Sequence, residues 1–354
     1  MHPTKTQGKA GRFRGDPATA PPTTLRQSRD IVTPALSAAL ERLDETSRAQ
    51  ARYHLGWTTA DGETSTGEGG KAVRPALALL SARAVGAPAE VGLPGAIAVE
   101  LVHNFSLLHD DVMDGDTLRR HRRTVWAVWG TPSAILTGDA LLALAQEVLL
   151  ESGSPYAADA GRLLASATRD LVRGQVRDLA FESRTDVTLD ECLDMVAGKT
   201  GALLSASAAI GAVLAGAPAA TTGALAAFGA HVGIAFQIVD DLLGIWGDPA
   251  LTGKPVFSDL CARKKTLPMT YAASQPGPAG ERLAEWLASA EKADEAALPE
   301  IAALVAAAGG KDWATEEAGR RLRLAESALA AVPIPDPPRD ELVALGRFIV
   351  TREA

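Results

Sequence analysis

Between Lys199 and Asp240 the chain carries no Asp, Glu, Lys or Arg. A run of that length has to leave water, either for a membrane or for a protein core. It breaks at Gly216-Ala-Pro-Ala-Ala-Thr-Thr-Gly223 into two segments, each just long enough to span a bilayer. Both halves are rich in Ala, Gly and Ser rather than Leu and Ile, and His231 and Gln237 lie inside the second. Buried helices of a large all-helical core account for this better than a membrane hairpin, so no stable membrane insertion is expected. Aromatic residues make up 5% of the chain against 47% apolar residues in all. The core must therefore be built largely from Ala, Leu and Val, which favours close-packed helices over sheets.

Residues 1–29 mix Lys, Arg, Gly, Pro and Thr without periodicity and read as a disordered tail. That tail either docks on an unknown partner or is simply solvated chain. From Asp30 a helical period takes over, with Ile31, Leu36, Leu40 and Leu43 on one stripe, until a loop runs from Thr58 to Gly70. Helices are expected from Pro75 to about Val85, then from Pro94 to Met113, Pro132 to Leu150, Tyr156 to Phe181 and Leu189 to Val196. After the charge-free pair, more are expected near 265–275, 279–292, 295–307, 312–331 and 338–351. No convincing run of alternating β-branched residues interrupts them. The chain reads as all-α, with one domain over 30–354. Its net charge of -8 argues against nucleic acid as a partner. Cys192 and Cys261 read as ordinary thiols of a reducing cytoplasm, and no apolar run follows the N-terminus as a secretory signal requires.

The strongest local signal is Leu107-Leu108-His109-Asp110-Asp111-Val112-Met113-Asp114, an apolar helix ending in three carboxylates. Asp110 and Asp114 stack on one helical face, where like charges repel unless something offsets them. Mg²⁺ does so, taking one or two carboxylates and filling its shell with water and phosphate oxygens. Alone, so short a pattern reads as a solvated helix end. A second apolar helix, however, ends in Phe236-Gln237-Ile238-Val239-Asp240-Asp241, with Asp248 beyond. Two such ends could converge on one cavity suited to a polyphosphate with bridging metals.

Basic clusters flank both. Gly69-Gly70-Lys71-Ala72-Val73-Arg74-Pro75 sets flexible backbone and two cations before a Pro-started helix, a ready anion site. Arg119-Arg120-His121-Arg122-Arg123 offers guanidinium forks that match phosphate. Lys254, in Gly253-Lys254-Pro255, precedes Arg263-Lys264-Lys265 on a stretch that could act as a lid. Singly, each reads as solvated surface; flanking the acidic runs, they read as a phosphate site.

At this point the chain resembles the trans-isoprenyl diphosphate synthases, or polyprenyl synthetases, from about residue 60 to 275. The matches include Gly69-Gly70-Lys71, Arg74-Pro75, His103, Asp110 to Asp114, Arg119-Arg120, Gly174-Gln175, Lys199-Thr200-Gly201, Phe236-Gln237, Asp240-Asp241, Gly253-Lys254-Pro255 and Lys264 to Pro268. The resemblance implies a large all-α bundle around a central cavity, a homodimer and a requirement for Mg²⁺. It implies Asp110, Asp114 and Asp240, with Asp111 and Asp241 beside them, as the residues holding three Mg²⁺ ions on an allylic diphosphate. Arg119, Lys199, Gln237 and Lys254 would complete the shell around that substrate, with Thr200 and Lys264 also contributing. Lys71, Arg74, His103 and Arg120 would hold isopentenyl diphosphate. The implied reaction is head-to-tail condensation through an allylic carbocation.

The second motif departs from the family pattern, reading Asp240-Asp241-Leu242-Leu243-Gly244, so its third carboxylate is missing. Altered metal affinity rather than lost activity is expected. Asp240, Gly244 and Asp248 also take the spacing of the second metal motif in class I terpene cyclases, which makes a cyclase the alternative. A non-catalytic regulatory subunit is the third reading. The second anion site speaks against the former, and the intact first motif against the latter. For product length, the bulky Phe105 beside Ser106, with no insertion in the first motif, resembles synthases of the twenty-carbon geranylgeranyl product, with fifteen-carbon farnesyl next.

Overall fold

The computed structural model describes residues 22–65, 70–248, 256–289 and 294–350. Helix α1 (Thr23–Leu40) begins inside what the sequence presents as tail. Pro22 stands at its N-cap, and Leu25 and Ser28 carry the buried stripe of Val32, Leu36 and Leu40 back towards the N-terminus. The Thr24 hydroxyl donates to Glu341 in the last helix at 3.0 Å, and Arg83 forks onto the same carboxylate with two 2.8 Å bonds. The tail boundary therefore moves from residue 29 to before Thr23. The remaining part of the expected tail, residues 1–21, lies outside the described residues.

Helix α2 (Glu45–His54) starts at Asp44, whose side chain accepts from the amides of Thr46 and Ser47 at 3.0 Å each. There follow α3 (Val73–Arg83), α4 (Leu93–Met113), α5 (Val125–Trp129), α6 (Thr131–Leu150), α7 (Ala157–Ser183) and α8 (Leu189–Val196). A reciprocal Thr188–Glu191 capping box starts α8. A single π turn, Ala197–Gly201, leads into α9 (Ala202–Leu214), and α10 (Ala219–Trp246) completes the charge-free pair. Shorter helices and the long Gly310–Ala330 and Asp336–Val350 close the chain.

Helix α10 packs on α9 and on Gly310–Ala330, α4 packs on α6 and α3, and α9 packs on α3 and α7. Full burial of Leu77, Leu80, Leu225 and Phe228 joins α3 and α10 in one core cluster, and each such side chain contributes about 1.5–3 kcal/mol. The small residues that counted against a membrane hairpin have a packing role. A Cβ on Gly211 would lie 2.1 Å from the Ala78 carbonyl oxygen, and one on Gly229 would lie 2.3 Å from that of Leu204. Backbones approach this closely only where side chains are absent. Among the described residues four helical stretches are long and apolar enough to cross a membrane; the window in Thr131–Leu150 is 39% buried, the least of the four, against 67% for Ala89–Met113.

Among the described residues one two-stranded ribbon forms, Leu118–Arg119 against Arg122–Arg123, apart from an isolated bridge between Thr58 and Thr64. Its turn residues Arg120 and His121 have φ of 50° and 61°, the left-handed pair that a tight hairpin requires. Strands of two residues are too short to alternate, which hides them from a periodicity reading.

Candidate active site

The C-terminal ends of α4 and α10 open on one cavity of about 740 Å³, lined by Asp114, Lys199, Thr200, Gln237, Asp240, Asp241 and Lys264. The two acidic helix ends thus face a common space from different walls. Asp110 lies one turn before Asp114. Burial raises its carboxyl to about 6, with the charges of Asp114 and Asp178 adding to the rise and those of Lys199 and Arg119 opposing it. Lys199 donates to Asp178 at 2.5 Å from the π turn, a helical irregularity frequent at functional sites. Burial alone would lower Lys264, yet Asp259, Asp178, Asp114 and Asp116 surround its ammonium and hold it above the usual lysine value.

A file of hydrogen bonds crosses the floor. Thr200 Oγ1 donates to Gln237 Oε1 at 2.9 Å, Gln237 Nε2 donates to Asp241 Oδ1 at 2.9 Å, and the Leu267 amide donates to Asp241 Oδ2 at 3.0 Å. Burial pushes Asp241 up to about 8 against the pull of the Gln237 and Leu267 bonds. Both oxygens accept from protein donors, so Asp241 departs from a plain ligand: it braces α10 from the edge of the cavity. Asp111 departs likewise: its side chain is 1% exposed and accepts from Arg119 Nε at 2.7 Å, on the side away from the cavity. Neighbours in a helix point about 100° apart, so adjacent aspartates meet different partners even where, as with Asp240 and Asp241, both edge the cavity.

Asp241 gives a stability prediction. A carboxyl raised from 3.8 to about 8 stabilises the fold at low pH, and this contribution fades as pH climbs through the interval to about 8. Asp241→Asn is expected to flatten the fall in melting temperature over that interval, as thermal scans of both proteins at several pH values would reveal.

Among the described residues no three His, Cys, Asp or Glu side chains are close enough to hold a metal ion by themselves. The cavity instead offers hard oxygen donors divided between two walls. That set fits Mg²⁺, which takes one or two carboxylates and leaves positions for phosphate oxygens and water.

Behind Asp111 lies the second charged region. Arg120 packs its guanidinium against Gly70, where a Cβ would lie 3.0 Å from Nη2. Around it are Arg74, which burial lowers to about 10 although Glu100 opposes the shift, and His103, which burial and the charges of Arg74 and Arg120 hold well below the ordinary imidazole range. The grouping is cationic in excess and offers guanidinium N–H donors, as an anion pocket requires. Lys71 adjoins it, with Nζ 5.5 Å over the Phe348 ring. Arg119 lines a small pocket on this side together with Arg120, Arg122 and His54, rather than the large cavity. Lys254 and Gly69 lie outside the described residues. Phe105 is buried edge-on against His109 with ring centroids 4.7 Å apart, and the Ser106 hydroxyl donates to the His103 carbonyl at 2.8 Å.

Three residues escape a motif reading. His54, lowered to about 3 by burial and by Arg119 and Arg120, sits at the end of α2 with no distinguishing pattern. Asp178 and Asp259 line the cavity as single carboxylates. Only Asp178 carries a signal, one turn from Gln175, and Gln175 is not among the lining residues described. The cyclase-type spacing fails locally: α10 stops at Trp246 and Gly247 turns extended with ψ of 147°, which takes Asp248 off the helical face.

The polyprenyl synthetase family model matches residues 57–305. A Mycobacterium tuberculosis (2E,6E)-farnesyl diphosphate synthase is 52% identical over 333 residues, 93% of each chain. A geranylgeranyl diphosphate synthase of the same organism is 44% identical over 331 residues, again 93% of each. The crystal structure of a polyprenyl synthetase from Streptomyces coelicolor A3(2) superposes with a TM-score of 0.90 at 52% identity, covering 94% of this chain and 100% of that one.

Proposed function

The chain belongs to the polyprenyl synthetase family and is a short-chain trans-prenyltransferase, and from that premise we propose that it joins isopentenyl diphosphate head to tail to an allylic diphosphate. The observation that carries this reading is the pairing of one cavity edged by acid from α4 and α10 with a separate cationic pocket behind Asp111.

Asp110, Asp114 and Asp240 would hold magnesium, three ions with substrate bound, on the allylic diphosphate. Bound there, the metal supplies neutralisation of the leaving group's charge. Lys199 and Lys264 add fixed positive charge at the same mouth, with Lys254 assigned to the same shell, while Arg119, held by Asp111, acts from the small pocket beside it. Arg74, His103, Arg120 and Lys71 anchor isopentenyl diphosphate so that its double bond faces the ionising carbon. The Gln237 amide and the carbonyls around Thr200 point partial negative charge at the allylic cation, and the surplus proton leaves with the released diphosphate. Excluding water keeps the cation from ending as an alcohol.

The end product is read as a twenty-carbon chain. This reading is supported by small Ser106 one turn before Asp110 and by the bulky Phe105 ring beside it, buried against His109. Farnesyl length is the second reading, favoured by the name of the relative at 52% identity. Purified protein given Mg²⁺, isopentenyl diphosphate and each allylic diphosphate in turn should yield one dominant dephosphorylated alcohol on chromatography. A hydrocarbon formed without isopentenyl diphosphate would indicate a cyclase instead, and no turnover at all would indicate a regulatory subunit. Phe105→Ala is expected to add at least one isoprene unit; an unchanged distribution would remove Phe105 from the chain-length role.

A homodimer is read from α6, whose Ile135, Leu136 and Leu150 are exposed at 39%, 64% and 63%, an apolar face of the kind that seeks a second copy. Leu136→Glu is expected to halve the apparent mass on size exclusion, and an unaltered elution volume would place the interface elsewhere. A cytoplasmic location is supported by free Cys192 and Cys261.

A further inference from the structure

Something other than a side chain of α10 fills the place left at Gly244. A Cβ added there would lie 2.0 Å from Asp259 Oδ2, 2.4 Å from its Cγ and 3.0 Å from Oδ1. The Asp259 carboxylate thus rests on the face of α10 one turn beyond Asp240, where a residue-244 side chain would begin. It arrives on the short helix Ser258–Cys261, whose Ser258 hydroxyl reaches the Gly244 carbonyl at 3.5 Å. The backbone on either side is left-handed at two non-glycine residues, Phe257 (φ 63°) and Arg263 (φ 48°). Non-glycine residues adopt this conformation only where their surroundings hold them there. Arg263 is fastened by Nη1 to the carbonyls of Trp286 and Ser289 at 2.6 and 2.7 Å. Asp259 also lines the same cavity as Asp114 and Asp240.

We propose that Asp259 is the third carboxylate of the second acidic cluster, brought in from the neighbouring segment, and that it acts beside Asp240 on magnesium-bound diphosphate. The inference rests on the condensation reading above. Gly244 and Asp259 then form one device: the absent side chain makes room for the carboxylate that replaces it. A side chain at 244 and the carboxylate of Asp259 cannot share that space.

The test is calorimetric titration of the full chain with inorganic diphosphate, with and without Mg²⁺. Wild type without magnesium-dependent binding would sink the condensation reading itself. Wild type that binds, with variants that bind equally well, would overturn only the present inference. Asp259→Asn, nearly isosteric, is expected to weaken binding at least about 10-fold. Gly244→Ala carries no charge but displaces Asp259, and is expected to weaken it comparably. The exchange Gly244→Asp with Asp259→Gly is expected to restore most of the affinity lost in Asp259→Asn, a recovery that a merely structural Asp259 would not allow. A folded exchange variant no tighter than Asp259→Asn overturns the inference; should that variant not fold, the two single substitutions decide it.

Discussion

Asp114→Asn is expected to lower kcat on the order of 10²–10³-fold, and to raise the magnesium concentration needed for half-maximal rate. Asp114 caps α4, lines the cavity and is one of the carboxylates that keep the Lys264 ammonium charged. Asparagine preserves its shape and the backbone cap, whose amide bonds to the Asp110 carbonyl at 2.8 Å, but removes the charge that acts on Lys264 and is proposed to hold magnesium. The position is exposed, so melting temperature should scarcely change, because surface substitutions usually stay within about 0.5 kcal/mol. Kinetics across a range of Mg²⁺ concentrations, with a thermal scan, separate the two effects. Full turnover at saturating metal would show that Asp114 takes no part in the chemistry.

Gly174→Ala should be damaging by a different route. The added carbon would stand 2.2 Å from the Lys199 amide nitrogen, 2.7 Å from its Cα and 2.8 Å from the Gly198 carbonyl carbon. All three are backbone atoms, so no side chain can swing aside. Helix α7 and the π turn must part, at about 1–3 kcal/mol of overpacking, and Lys199 moves with the turn. A displacement near 1 Å can cost about 10²-fold in rate. Denaturant unfolding and steady-state kinetics on the same preparation should therefore both respond. A wild-type midpoint together with wild-type turnover would mean that the contact between α7 and the turn sets nothing.

Much of this architecture is legible in the amino acids, and the reasons differ from place to place. Helix periods are local, so α4, α8 and α10 can be located from Pro94, the run from Leu189 to Val196 and the charge-free stretch. Runs such as Asp110 to Asp114 announce their chemistry because several ionisable groups crowd into a few residues. Asp111 and Asp241 are less transparent for the same local reason: a pair of neighbouring aspartates looks equivalent in a string of letters, and only the helical turn ties Asp111 to Arg119, and Asp241, at the cavity edge, to Gln237 and Leu267. Asp259 and His54 are solitary, and Asp178 carries only its one-turn spacing from Gln175. Their placement depends on contacts between segments far apart in the chain, which no spacing encodes. The start of α1 hides behind Pro21-Pro22 because its anchoring partner, Glu341, lies 317 residues away in the chain.

The single file from Thr200 through Gln237 and Asp241 to the Leu267 amide has an evolutionary corollary. Each member satisfies the next, so altering one alone strands a buried donor or acceptor, a penalty of about 1–3 kcal/mol. Drift at these sites is then confined to coordinated replacements, and a diversified library should return survivors at 200, 237 and 241 as matched combinations, not as independent changes.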